Sequence, residues 1–151
     1  MNLRSIRESS ELLKRLSNTE LEFFESVSRE IHLVDGAILF EEGGVADTFF
    51  IIVTGKVGLE LTTPGRAPMV LQTLGPGDLV GVSWFFPPHL WNWSARAFGE
   101  TDLVAFDAIE VRHKCEADRD LALEVLGVVA EEVVRRLHRT RIQLLDLYRN
   151  T

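Results

Sequence analysis

Phe50-Ile51-Ile52-Val53-Thr54-Gly55-Lys56-Val57, followed by Leu74-Gly75-Pro76-Gly77-Asp78-Leu79-Val80-Gly81, is the stretch that decides the fold. Short runs of β-branched and aromatic residues that stop at glycine or proline read as strands rather than helix turns. Thr54-Gly55, between two such runs, carries a hairpin signal, because Gly55 is free to take positive φ. Working outward, the same pattern predicts strands over 31–34, 37–41, 48–53, 56–61, 69–74, 78–80, 93–97 and 103–107. Eight short strands at close spacing argue for a sandwich, jelly roll or barrel. Ten of the eleven glycines fall between 36 and 99 and all five prolines between 64 and 88, so the turns belong to this middle region.

The two ends are nearly free of both residues and carry helical periodicity. Ile6, Leu12, Leu13 and Leu16 form an apolar stripe, and Ser17-Asn18-Thr19-Glu20 offers cap residues ahead of a short helix ending at Ser26. A long helix is predicted over 116–148. Within it Leu126, Ala130, Val133, Leu137, Thr140, Leu144 and Leu147 alternate spacings of four and three, the pattern of a coiled-coil seam. That seam predicts a homodimer. Val125, Val128, Val129 and Val134 widen the stripe toward the β region, and Arg135, Arg136, Arg139 and Arg141 flank the seam as a solvated face. The expected organisation is one domain over 1–151: N-terminal helices (1–30), a β-roll (31–110) and the C-terminal helix (116–148).

A net charge of −7 and a pI of about 5.1 lack the basic footprint of a nucleic-acid binder. The lone Cys115 excludes an intramolecular disulfide and suits a reducing cytoplasm. No apolar run is long enough to span a bilayer. His32, His89, His113 and His138 lack metal-ligand spacing, and no Ser-His-Asp, Walker or dinucleotide motif occurs, so neither enzyme activity nor a metal or other cofactor is expected. For a haem the nearby axial candidates would be His89, His113 or Cys115, each of which reads more simply as a surface histidine or a packed thiol.

The glycines of Val34-Asp35-Gly36, Phe40-Glu41-Glu42-Gly43, Phe50 to Val57 and Leu74 to Gly81 occur in an order that resembles the cyclic-nucleotide-binding domain family, in its bacterial catabolite-activator type. The likeness runs from about Leu12 to Leu147. It implies a mainly β fold with flanking helices: a double-stranded β-helix, the cupin-like jelly roll, with N-terminal helices and a long C-terminal dimerisation helix. It also implies a phosphate-binding cassette. In the family a glycine-glutamate pair opens a short helix, and an arginine followed by serine or threonine precedes the next strand. Arginine and backbone amides neutralise the cyclic phosphate, and the glutamate accepts from the ribose hydroxyl.

The matching segment here runs from Gly81 to Ala97. Gly81 keeps the turn, but Val82 stands at the glutamate position. Counting back from Ala95-Arg96-Ala97 puts Trp91 at the arginine position and Asn92 at the serine position. A cyclic phosphate taken into such a pocket has no cation to offset its desolvation. Arg96 is the nearest candidate, and strand alternation directs its side chain to the other face. Weak or absent cyclic AMP and cyclic GMP binding is therefore expected.

Trp84, Phe85, Phe86, Trp91 and Trp93 put five of the thirteen aromatic residues within ten positions. Three readings stay open. The pocket is re-tuned for a flat, less charged small-molecule effector, with Gly81, Val82, Ser83, Trp84, Trp91, Asn92, Trp93 and, at the end of the long helix, Tyr148 as its candidate lining. Or it is an ordinary second-messenger site with an unusual cassette. Or aromatics fill it, leaving a structural module for a protein partner. In the family's transcription factors a helix-turn-helix domain follows the long helix. No further helix pair follows it in these residues, so a stand-alone module without direct DNA contact is expected.

Overall fold

The computed structural model describes residues 2–149. Its described strands are β1 (Ser28–Leu33), β2 (Ile38–Phe40), β3 (Thr48–Leu61), β4 (Met69–Leu74), β5 (Leu79–Val80) and β6 (Ser94–Asp107). All pair antiparallel in one sheet of order β1-β6-β3-β4, with β2 added to β6 and β5 to β3. The two longest strands, β3 and β6, lie side by side from Thr48↔Asp107 to Glu60↔Ser94 and bend together. The result is the expected mainly β fold, a jelly-roll double-stranded β-helix with flanking helices.

The hairpin expected at Thr54-Gly55 does not form. Gly55 does take positive φ, +92°, but as a bulge inside an unbroken β3, where the register with β6 shifts on both sides of Thr54. A Cβ at Gly55 would lie 2.5 Å from the Glu100 carbonyl oxygen, so only glycine lets the strand turn this corner without reversing. The runs 48–53 and 56–61 are thus one strand, and 93–97 and 103–107 likewise merge into β6. Eight expected strands become six among the described residues. β1 also starts earlier than predicted, at Ser28, because its pairing with β6 extends to Phe106. On its surface His32 bridges Asp102 (2.6 Å) and Glu100 (2.5 Å), and these hydrogen bonds, Asp102's first, hold its imidazole above the ordinary histidine value.

Along β3 Phe49, Phe50, Ile51 and Ile52 are all buried, so this strand is covered on both faces. Alternation sends two aromatic columns in opposite directions. On one face Phe49 stacks on Trp84 and Phe106, and Phe106 meets Phe24 edge-on. On the other, Phe50 stacks on Phe40, which stacks on Trp91.

The N-terminal segment is a 3-10 turn (Leu3–Ser9), then α1 (Glu11–Arg15) and α2 (Asn18–Ser26), the last opened by a capping box between Ser17 and Glu20. The predicted stripe of Ile6, Leu12, Leu13 and Leu16 is buried. At the other end, the helix expected over 116–148 is present as α4 (Arg119–Arg149), and a further helix, α3 (Ala108–Ala117), precedes it. Asp118 separates the two: its backbone is extended and its carboxylate accepts from the Leu121 amide, capping α4. The buried face of α4 is Leu121, Val125, Val128, Val129, Glu132 and Arg136. Two expectations are corrected here. Val134, placed with the inward valines, is 64% exposed, because the stripe passes through 132 and 136 instead. Arg136, placed on a solvated face, is buried.

The Gly55 bulge yields a stability test. Gly55→Ala should lower the unfolding free energy by at least about 2 kcal/mol, through positive φ and the collision with β6. Gly75→Ala, where a Cβ meets nothing within 4 Å, should stay within about 0.5 kcal/mol of the parent. Urea unfolding of both variants measures the difference.

Candidate functional site between the roll and helix α4

The segment from Gly81 to Trp93 crosses from β5 to β6, its middle packing near α3 and its end, Trp93, lying near Arg136 of α4. Its residues scatter to different environments. Trp84, in a 3-10 turn (Ser83–Phe85), is fully buried, donates its indole N–H to the Gly81 carbonyl and belongs to the Phe49 column rather than to any opening. Arg112 of α3 holds that turn by donating to the Trp84 carbonyl at 2.7 Å. Val82 is buried; Ser83 is half-buried and Asn92 is exposed, and the two hydrogen-bond each other at 3.3 Å. Tyr148, near the end of α4, is 77% exposed.

Trp91 occupies the centre. It is 5% exposed, stacks on Phe40 with ring centroids 3.8 Å apart, and packs so closely on Gly81 that a Cβ there would sit 2.6 Å from its ring. Its backbone amide and carbonyl both pair with the 41–44 turn, through Gly44 and Gly43. The indole fills the space beside the cassette glycine.

Open space lies on both faces: a cleft of about 550 Å³ against Ile38, Glu42, Glu60, Ser94 and Arg96, and a much smaller space on the α4 side. Leu59, Leu71, Gln72, Trp93, Arg136, Arg139 and Thr140 line a cavity of about 30 Å³, room for a single water or a group of similar size. The face can be checked from the strand register. Leu59 is paired with Ala95, so Leu59, Ala95 and Trp93 share one side of the sheet, and Arg96 lies on the other. There Arg96 binds Glu60 at 2.9 Å. It is committed away from the cavity.

The cation that does reach this face comes from α4. Arg136 Nη2 donates to the Leu79 carbonyl of β5 at 3.0 Å, its Nε lies 3.3 Å from Glu132, and its guanidinium sits 5.7 Å from the Trp93 ring centroid. Burial pulls the guanidinium below the ordinary arginine value, against the upward pull of Glu132. Sequence reading missed Arg136 and Gln72 as site residues. The signal for Arg136 was present: 125, 128, 129, 132 and 136 continue one helical stripe.

The predicted seam residues Leu126, Ala130, Val133, Leu137, Thr140, Leu144 and Leu147 are all exposed along α4. Beyond Arg136 every described residue of this helix is exposed. Elsewhere His89, Arg112 and Cys115 line a separate cleft of about 320 Å³. Burial pushes the Cys115 thiol up to about 11, so it is not a ready nucleophile, and burial also lowers His89. Among the described residues no helix is long and apolar enough to cross a membrane.

Comparison with known proteins agrees on one scaffold. Residues 30–118 match the family model described as the cyclic nucleotide-binding domain. The chain is 30% identical over 125 residues to a CRP-like cAMP-activated global transcriptional regulator of Mycobacterium tuberculosis, covering 81% of this chain and 54% of that protein. It therefore spans about half the length of that relative. Among solved structures, a Geobacter metallireducens protein provisionally assigned as cyclic nucleotide-binding superposes with a TM-score of 0.82 at 24% identity, over 91% of this chain and 99% of that one. A cyclic nucleotide-binding domain from Methylobacillus flagellatus gives 0.80 at 19% identity, over 95% and 83%. Both are likenesses of fold.

The packing of Trp91 has a measurable consequence. Trp91→Ala should cost about 3–5 kcal/mol of stability in urea unfolding, as expected for emptying a buried indole site. A loss under about 1 kcal/mol would mean that the ring does not plug the roll.

Proposed function

The chain belongs to the cyclic nucleotide-binding domain family, and on that premise we propose that it is a regulatory sensor or adaptor module whose nucleotide pocket is plugged by its own aromatic side chains. In this reading it binds cyclic AMP and cyclic GMP weakly or not at all. One observation carries the proposal: Trp91, at the position of the cassette arginine, is stacked on Phe40 against Gly81, and the cavity that Leu59, Trp93 and Thr140 line between the roll and α4 holds about 30 Å³. A nucleotide-sized ligand needs a pocket of at least about 300 Å³. Val82 further removes the acceptor for a ribose hydroxyl, and Arg96 is held by Glu60 on the opposite face.

The output element is α4, through a change in how it packs on the roll and on a second copy of the chain. Its exposed seam from Leu126 to Leu147 supports a homodimer, with Leu137 at 68% exposure and Leu147 at 67% among its most open positions. The acidic charge supports action through protein contacts rather than direct DNA contact by these residues, and the single buried thiol suits the cytoplasm. This regulatory role asks for no catalytic step.

Two measurements test this reading. Titration calorimetry with cyclic AMP and cyclic GMP, followed in parallel by tryptophan fluorescence, should give no saturable signal up to about 1 mM, whereas micromolar binding would restore an ordinary second-messenger sensor. Sedimentation at micromolar concentration should find a dimer that Leu137→Glu converts to a folded monomer; a monomeric parent would remove the seam from the proposal.

A further inference from the structure

A second opening lies between α3 and the loop that follows the Trp84 turn. Phe85, Pro87 and His89 of that loop and Arg112, Cys115 and Glu116 of α3 line a cleft of about 320 Å³, which shares no residue with the cavity beside Trp93. That volume suits a small organic molecule rather than a single water. Arg112 is half-buried and spends Nη1 on the carbonyls of Trp84 (2.7 Å) and Ala46 (3.5 Å), yet among the described residues no carboxylate pairs with it. Its other N–H groups stay open to an acceptor from outside. His89 is, among the described residues, the one non-glycine residue with positive φ, +57°. The Ala46 amide fixes it there by donating to the His89 carbonyl at 2.7 Å. Such a backbone is strained in any residue that carries a Cβ, and it recurs where side chains are aimed at ligands. Burial, and then the charge of Arg112, holds the His89 imidazole below the ordinary histidine value, so at neutral pH it is an uncharged ring with one N–H donor.

We propose that this cleft binds a small apolar monocarboxylate, with its carboxylate between the Arg112 guanidinium and the His89 ring N–H and its hydrocarbon body against Phe85, Pro87 and Cys115. The chemistry follows from the lining. A carboxylate matches the fork of a guanidinium and has lone pairs to spare for a second donor. Phe85 and Pro87 present ring surface, and Cys115, whose thiol burial pushes up to about 11, stays neutral and packs as a small apolar group. A purely cationic ligand would meet Arg112 instead of a counter-charge. Glu116 on the rim, with Asp118 and Glu20 whose charges reach Cys115, opposes a second negative charge, which favours a monoacid over a diacid or a phosphate ester.

Position gives the site a role that goes beyond the reading above and does not depend on whether the roll takes a nucleotide. The occupant would bridge the loop after Trp84 to α3, and Arg112 already ties that helix to the Trp84 carbonyl. Only Asp118 separates α3 from α4. Occupancy would thus bear on the root of the helix that carries the proposed dimer seam.

The test uses the full chain, with sodium benzoate and sodium hexanoate as probes and benzamide, which keeps the ring and loses the charge, as the control. Calorimetry should give saturable binding of at least one acid at millimolar concentration or below, weakened about tenfold or more in Arg112→Met and about threefold or more in His89→Gly, which keeps positive φ without strain. Backbone amide resonances of 85–89 and 112–116 should move during the titration. Circular dichroism confirms that the variants fold; if Arg112→Met unfolds on losing its hold on the Trp84 carbonyl, His89→Gly and the resonance map decide. Binding of benzoate alone assigns an aromatic acid, and of hexanoate alone an aliphatic one; either supports the site. No saturable binding of either acid up to about 10 mM overturns it. So do benzamide binding as tightly as the acids, an affinity unchanged in His89→Gly, or shifts confined to the surroundings of Trp93 and Arg136.

Discussion

Everything in this molecule hangs on the antiparallel pairing of β3 with β6. Two long strands that share almost their whole length must bend together to enclose a core, and the bulge at Gly55 lets them bend without parting. Once bent, the pair exposes two faces to two different populations of side chains. One face takes the helices: Phe49 and Phe106 receive Phe24 of α2. The other takes Phe40, Leu59 and Trp91, while Trp84 of the same segment joins the first. The placement of Trp91, Trp93 and the inner surface of α4 is therefore dictated by strand register before any question of ligand arises.

On the proposed alignment the cassette differences act as a set: an arginine absent from a buried anion site would leave a void, and Trp91 at its position fills that volume with apolar contact. The stack from Phe50 through Phe40 to Trp91 extends the core into that volume, and Gly81 supplies the clearance that the indole needs. A charge on this face is carried by Arg136 from the helix, in contact with Leu79 and Trp93. Apolar filling and cation are thus supplied by different elements.

Much of this was readable in the residues alone. The glycine turns and the strand runs between them specify the roll, and the stripe on the N-terminal segment specifies its lid. The hairpin at Thr54-Gly55 misled because positive φ at glycine serves a tight turn and a bulge equally, and only the partner strand decides between them. The break at Asp118 was hidden because no glycine or proline marks it; an aspartate cap inside a helix-favouring run is a weak local signal that tertiary packing must complete. In the proposed site, Trp91 takes the arginine position by counting back from Ala95-Arg96-Ala97. Its stacking on Phe40 was not legible, since Phe40 is distant in sequence and belongs to β2. Arg136 was hidden by its own chemistry: a guanidinium on a long helix is ordinarily solvated, and only the carbonyl of Leu79 and the carboxylate of Glu132 make its burial tolerable.

The course of α4 past Arg136 has a mechanical implication. From its tie to Leu79 the helix continues to Arg149 with its side chains in solvent, an arm of about 20 Å at the rise of an α-helix. Gln143 steadies it with one hydrogen bond to the Leu71 carbonyl, at 2.8 Å. Pivoting such an arm by about 5° at its fulcrum displaces the tip by nearly 2 Å, roughly the scale at which knobs lose their holes in a helical zipper. A domain built this way needs no large rearrangement to be heard by its neighbour. In the proposed reading it works as a lever whose short end is one guanidinium and whose long end meets a partner.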